Sequence, residues 1–478
     1  MKTLDMPVDS QHGGTFWLAS DDPEQAVHGV LRRTASNLTL EVYESLTSLL
    51  REVRRSQLPD GSVAVDYAFA DDEPEERDLV IHGRLDNGVA VTLVDCFTSA
   101  RRGETQTLSP LYMLYGLHAS GGDAVFTKAR VRLRHLDEWL SLPGFRLDVQ
   151  PDSTSTLSYS RPVTEQVALG SGGRLSVHLE QKAAAVTATG GSITRNAAFQ
   201  VEPREPLSWR EIGRSVVVPL QTLLSLCTLR ECPPGLVQVE QTGTGWATVI
   251  SRRMSAGASP ITTTTHHFLV SFSDIRLHGV ARWLDSVERL GPLPPVVARA
   301  IADRSSVMLE TQLLELTTVA EGLHRRLFPN ATRMSDAIAN RVRQATSDAL
   351  CAEAEETQSV VTGMFRHLTE PGYNARMKDL AALAEPLLPF VTGKTNRWSR
   401  RVEESRNTFA HRSHGFLEHD VDEELTIAES LSWVLAGVLL AQAGCTHTTV
   451  NDDPTLVQPY AYFMKRAKRR LPHVFREV

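Results

Sequence analysis

Arg406, Asn407 and His411 are the residues of this 478-residue chain whose types and spacing point to chemistry. They lie between Trp398 and Gly415, in a stretch that reads as a helix, with Gly415 as its stop. Asn407 and His411 are four residues apart, so they sit one turn apart on the same face. Arg406 and His411 are about 140° apart on an ideal helix and flank a shared edge. Histidine titrates near neutral pH and passes protons. Arginine carries a fixed charge on a fork that matches a phosphate. Asparagine orients the imidazole or a substrate hydroxyl. The set suits RNA cleavage without a metal: a base takes the ribose 2′-OH proton, the oxygen attacks the adjacent phosphorus, and arginine stabilises the charge that builds there. The products would be a 2′,3′-cyclic phosphate and a 5′-hydroxyl. The same residues also make a basic, solvated helix face, and spacing alone leaves both readings open.

Charge limits where a nucleic acid would bind. The chain has 50 Lys and Arg against 57 Asp and Glu, a net charge of −7, so its overall field repels phosphate. A local patch must supply any contact, which excludes a uniformly basic nucleic-acid coat. From Lys394 to Gly415 six cations face two anions, a local balance of +4. Near the C-terminus Lys465, Arg466, Lys468, Arg469 and Arg470 follow Tyr460, Tyr462 and Phe463. Basic residues interleaved with aromatics suit a single strand, through phosphate contact and stacking. The alternative is a solvated helix with its aromatics turned inward. Arg400, Arg401, Arg412, Lys465 and Arg466 are the candidates for RNA contact.

Other chemistries lack their signatures. Gly243-Thr244-Gly245 has no Walker-type lysine after it, and neither G-x-S-x-G nor H-E-x-x-H occurs. The five cysteines have no zinc-ribbon spacing and predict no disulfide framework. Adjacent His266 and His267 would point to opposite faces of a strand, so they make a poor metal pair. The acidic run Asp71–Glu76 reads as a solvated loop. No metal or other cofactor is expected. The N-terminal residues lack the apolar core of a signal peptide. The longest strongly apolar stretch, Trp433–Ala441, is far short of the ~20 residues of a membrane span. A cytoplasmic protein without membrane contact is expected.

The elements that must position Arg406 and His411 follow from periodicity. Residues 1–290 read as β-rich, with a helical segment near 208–228 that Pro219 would kink or interrupt. Asn87-Gly88 between two alternating runs predicts a hairpin with a type I′ turn. Leu175, Val177 and Leu179 alternate with polar residues after Gly172-Gly173, as in a half-buried strand. Leu236–Gln241 and His267–Phe272 also read as strands. The breaker cluster Leu290–Pro295 predicts the domain boundary. Beyond it, residues 296–478 read as an antiparallel helical bundle. Leu309, Leu313, Leu316, Ala320, Leu323 and Leu327 mark one helix face. Further helices are predicted over 335–349, from Leu380 to near Pro389, over 401–412 and over 425–442. The fold class is α+β, a β-rich region followed by an all-α bundle.

Arg406-Asn407-Thr408-Phe409-Ala410-His411 resembles the R-x4-H motif of HEPN domains in its R-N-x-x-x-H form. Trp398 precedes the motif by eight residues and an apolar helix follows it. Thr318–Arg325 resembles part of the first long helix of ApeA-type HEPN domains. Phe16-Trp17-Leu18, Val27-His28-Gly29-Val30-Leu31 and Ile81-His82-Gly83 are loosely similar to the ApeA N-terminal domain. The resemblance implies a bacterial antiphage protein of the abortive-infection type, with an endoribonuclease that attacks tRNA. It implies a homodimer or higher homo-oligomer through the HEPN domain, since paired R-x4-H motifs build one cleft. By the same resemblance Arg406 and His411 are catalytic, Asn407 supports them, and Glu321 is a polar group facing the cleft. His414 is a spare candidate for proton transfer. The N-terminal region would sense a phage protein or hold the nuclease quiet. The alternative is a noncatalytic HEPN binding or oligomerisation protein whose β-rich region recognises a phage or cellular ligand.

Overall fold

A computed structural model of the chain describes residues 6–46, 50–57, 63–69, 79–119, 124–150, 155–183, 192–251, 267–302, 308–365, 367–410 and 421–476. The acidic run Asp71–Glu76 and residues Thr262–His266 lie outside the described residues. The chain divides into a β-rich unit, residues 1–221 and 232–263, and a helical unit, residues 222–231 and 264–478. The division therefore falls before the Leu290–Pro295 cluster expected to mark it. That cluster is a turn inside the helical unit. Gly291, at φ 59°, ends the Phe272–Leu290 helix, and Pro294 opens the Pro294–Ala302 helix. Glycine after a helix and proline at the start of the next punctuate helices as readily as domains.

In the β-rich unit, thirteen strands form one antiparallel sheet. Six of them close into a ring, in the order Ala90–Arg102, Leu79–Leu85, Ser10–Leu18, Val27–Arg33, Leu38–Val42 and Thr105–Ser109. The long Ala90–Arg102 strand closes it, pairing with Leu79–Leu85 on one edge and Thr105–Ser109 on the other. A closed ring leaves no open strand edge there. Period-2 alternation turns Phe16, Leu31, Leu40, Leu93 and Leu108 into its buried core. From the same long strand the sheet continues as a wing through Tyr112–Tyr115, Gly245–Ser251, Pro234–Gln241, Lys128–Leu133, Ile193–Glu202, Arg174–Ala183 and Gln166–Ala168.

The Asn87-Gly88 hairpin forms, with a different turn. The Gly88 amide donates to the Leu85 carbonyl at 2.8 Å, and among Asp86, Asn87 and Gly88 only the glycine has positive φ, 80°. This is a type I turn followed by a left-handed glycine, a three-residue loop that needs one such residue where type I′ needs two. Gly170-Ser171-Gly172 repeats it, with Gly172 at φ 87° and its amide on the Leu169 carbonyl. The expected strand over His267–Phe272 is absent. Ser271 instead starts the Phe272–Leu290 helix through a capping box with Asp274. Residues 209–228 are helical, and a π-helical turn over Gly213–Val217 stands directly before Pro219. That turn accommodates a residue with no amide hydrogen without ending the helix.

The helical unit contains the expected Leu309–Leu327, Asp336–Ala349, Thr395–Ala410 and Val421–Gln442 helices. Tyr373–Ala384 ends sooner than expected, before Pro386. Val421–Gln442 is the core helix. It is long and apolar enough to cross a membrane, but its side chains from Thr426 to Leu440 are buried within the unit. A helix that is apolar all round is buried. Two of its buried carboxylates bind neighbouring helices: Glu424 takes Arg401 at 2.7 Å, and Glu429 takes Arg466.

Gly83 is packed against the ring core. A Cβ there would lie 2.5 Å from Phe16 Cδ1 and 3.0 Å from Val91 Cγ2. Gly83→Ala should destabilise the β-rich unit by about 1–3 kcal/mol through overpacking. In urea titrations Phe16→Leu, which removes the clashing ring, should make the second substitution cheaper. Strictly additive losses would contradict this packing.

Candidate functional site

The Thr395–Ala410 helix buries one face and leaves Arg406 at that face's edge. Trp398, Ser399, Val402 and Ser405 recur at helical spacing and are fully buried. At its start the Lys394 amide donates to the Val474 carbonyl, and Gly393 takes φ 57° where a Cβ would strike that same carbonyl. These contacts fix the helix, and so fix where Arg406 emerges one turn after Val402.

Arg406 emerges into a cleft of about 240 Å³. Its Nη2 is 3.3 Å from Glu321 Oε2, on the Leu309–Leu327 helix. Its guanidinium carbon stands 4.8 Å from the centre of the Tyr373 ring, at the start of the Tyr373–Ala384 helix. Cation–π contact and an ion pair thus hold one guanidinium from two sides. Tyr373 is itself fixed, because its buried hydroxyl donates to the Thr317 carbonyl at 3.2 Å. Burial pushes that phenol well above its ordinary pKa, so it remains a donor.

Glu370 is the centre of the opposite wall. His367 Nδ1 lies 2.6 Å from its Oε1, and Arg325 and Arg376 each reach its Oε2 at 2.8 Å. The hydrogen bond from His367, with the charges of Arg325 and Arg376, holds this carboxyl below the usual carboxylate range. Arg325 also pairs with Glu321 at 3.1 Å. One chain of contacts therefore runs from Arg406 through Glu321, Arg325 and Glu370 to His367. Arg376 is buried and is oriented from behind: His324 Nδ1 lies 3.4 Å from its Nη1, while His324 Nε2 bonds Asp379 at 2.9 Å. Arg333 clamps the turn that carries His367, donating from Nε to the Leu368 carbonyl at 2.6 Å.

Four arginines, Arg325, Arg333, Arg376 and Arg406, line the cleft against two carboxylates, Glu321 and Glu370. The excess of cationic forks suits a phosphate-bearing ligand. Among the described residues, no group of three His, Cys, Asp or Glu is arranged to hold a metal ion.

The structure brings Arg406 and Glu321 together and leaves Asn407 exposed, outside the residues that line the cleft. His411, Arg412 and His414 lie outside the described residues. Arg400 and Lys465 are exposed. Arg401 and Arg466 instead point at the core helix, paired with Glu424 and Glu429. Tyr460 and Phe463 pack inward around Trp433, and Tyr462 stays exposed. Sequence reasoning missed His367, Glu370, Tyr373 and Arg376. The signal near them was Glu370-Pro371-Gly372, which reads as a turn and gives no hint of its partners.

Glu370→Gln should lower stability at neutral pH by on the order of 1–3 kcal/mol, because Arg376 loses its charged acceptor. A lowered folded pKa gives stability that is present above the unfolded value of about 4.3 and is lost as pH falls through the folded one. The melting temperatures of parent and variant should therefore converge as pH falls from 7 towards 3. A gap that stays constant with pH would contradict the ionised hub.

The family model described as ApeA N-terminal domain 1 matches residues 11–283, and the one described as Apea-like HEPN matches residues 314–449. No curated protein and no solved structure shows a significant match. The second match contains the Leu309–Leu327 helix from Leu314 onward, the Glu370 hub and Arg406. The β-rich part and the cleft-bearing helices each follow a family pattern, in the order of that family, and the chain belongs to the ApeA-like HEPN proteins.

Proposed function

We propose that this protein is a metal-independent endoribonuclease of an antiphage abortive-infection system, acting on tRNA in the cytoplasm. The observation that carries the reading is Arg406, aimed by Glu321 and Tyr373 into a cleft with an excess of arginine. A structural arginine would sit in a closed ion pair. Arg406 keeps about a third of its side chain exposed and lines an open cleft.

In this reading the phosphate of the scissile bond displaces the weak 3.3 Å contact with Glu321 and takes the Arg406 fork. Arg406 then stabilises the phosphoryl oxygens as charge builds on them. His411, five residues on, moves a proton, and Asn407 supports it from the adjacent position. His414 is held as a second candidate. The 2′-oxygen attacks phosphorus and the 5′-oxygen leaves, giving a 2′,3′-cyclic phosphate. Arg400, Arg412 and Lys465 carry the RNA strand, while Arg401 and Arg466 are assigned to helix packing. HEPN domains commonly pair and bind RNA, so a homodimer or higher homo-oligomer is the working form. The β-rich unit senses a phage protein or restrains the nuclease.

The test is cleavage of total tRNA by purified protein in EDTA, with and without extract from phage-infected cells. Arg406→Ala and His411→Ala should each reduce cleavage by about 100-fold or more. Products should carry cyclic-phosphate ends. Cleavage that EDTA abolishes, equal cleavage by all three proteins, or none even with extract would contradict the proposal.

A further inference from the structure

Internal attack by a 2′-hydroxyl moves two protons. One leaves the 2′-OH, and one must reach the departing 5′-oxygen, because an alkoxide is a poor leaving group. The motif supplies a single histidine for both tasks. The cleft holds another. His367 lines it together with Arg406, and its side chain is 68% exposed, open to a substrate. Its Nδ1 is held by Glu370 at 2.6 Å, which leaves Nε2 as the ring nitrogen not engaged by that carboxylate. A carboxylate at one ring nitrogen sets the tautomer and orientation of the ring and raises the basicity of the other. Glu370 is fixed by Arg325 and Arg376, and Arg325 shares Glu321 with Arg406. The imidazole and the phosphate-binding guanidinium are therefore positioned by one continuous set of contacts.

We propose that His367 is the general acid of this cleft, giving its Nε2 proton to the departing 5′-oxygen while Nδ1–H stays on Glu370. The proposal rests on the nuclease reading. In the step, the bond from the 2′-oxygen to phosphorus forms and the bond from phosphorus to the 5′-oxygen breaks. The 2′-OH proton passes to His411, and the Nε2 proton ends on the 5′-hydroxyl of the product. His367, left neutral, regains its proton from water. Glu370 acts through His367 and is a positioning residue.

A sulfur leaving group separates an acid from every other role, because a thiolate departs without protonation. The parent's cleavage site is mapped on tRNA, and a short RNA spanning it is made with oxygen or with sulfur at the bridging 5′ position. Full-length parent, His367→Ala, His367→Gln and His411→Ala are compared on both. Both His367 variants should cleave the oxygen substrate about 100-fold more slowly or worse. They should cleave the sulfur substrate within a few-fold of the parent, which also proves them folded. His411→Ala should be slow on both. Parent-like rates on oxygen, or equal loss on the two substrates, would overturn the role of His367 while leaving the nuclease reading intact. A parent that cleaves neither tRNA nor the oligonucleotide would overturn the nuclease reading, and this proposal with it.

Discussion

The ion network that runs from Arg406 to His367 is the constraint on which the helical unit's cleft depends. Arg376 is buried and cannot shed its charge, so it needs Glu370. Glu370 in turn organises Arg325 and His367, and Arg325 shares Glu321 with Arg406. Exposed pairs of this kind contribute little singly, about 0–1 kcal/mol each. Joined through a buried arginine they hold three segments in register: the Leu309–Leu327 helix, the turn before Tyr373, and the Thr395–Ala410 helix. The apolar packing beneath is what makes that register possible. Leu313, Leu316, Leu323, Leu380, Trp398 and Val402 are all fully buried or nearly so.

The parts of this arrangement written in local sequence were legible there. The leucines of Leu309–Leu327 repeat at three and four, and that period alone places the helix that carries Glu321. Arg406 was legible because arginine and histidine five apart in a helix suit phosphate chemistry. Glu370, Arg376 and His367 were not, because their meaning lies in partners distant in sequence. His324 and Arg376 are 52 residues apart, and Glu321 and Arg406 are 85 apart. No spacing rule covers such separations. The same gap explains Arg401 and Arg466. Their acceptors, Glu424 and Glu429, sit in the most buried helix of the unit, where charge is least expected.

Turn chemistry shows a second limit. Asn87-Gly88 announces a hairpin, but whether one or two residues take positive φ depends on how the flanking strands pair, which is a property of the closed ring. Gly291-Pro292 announces an end, but glycine and proline end helices and domains alike. Local signals identified the punctuation, and tertiary packing decided what it separates.

The central claim is that Arg406 acts on substrate and is not merely a partner for Glu321. Exchanging the two charges tests it most directly. Arg406→Glu and Glu321→Arg are made singly and together, and melting temperature and RNA cleavage are measured on each. Each single variant should lose stability, since it places like charges face to face. The double variant should recover most of the melting temperature, because the ion pair is rebuilt, and should remain inactive, because the fork no longer issues from the Thr395–Ala410 helix. Recovery of cleavage along with stability would show that only the pair matters, and would contradict a catalytic Arg406.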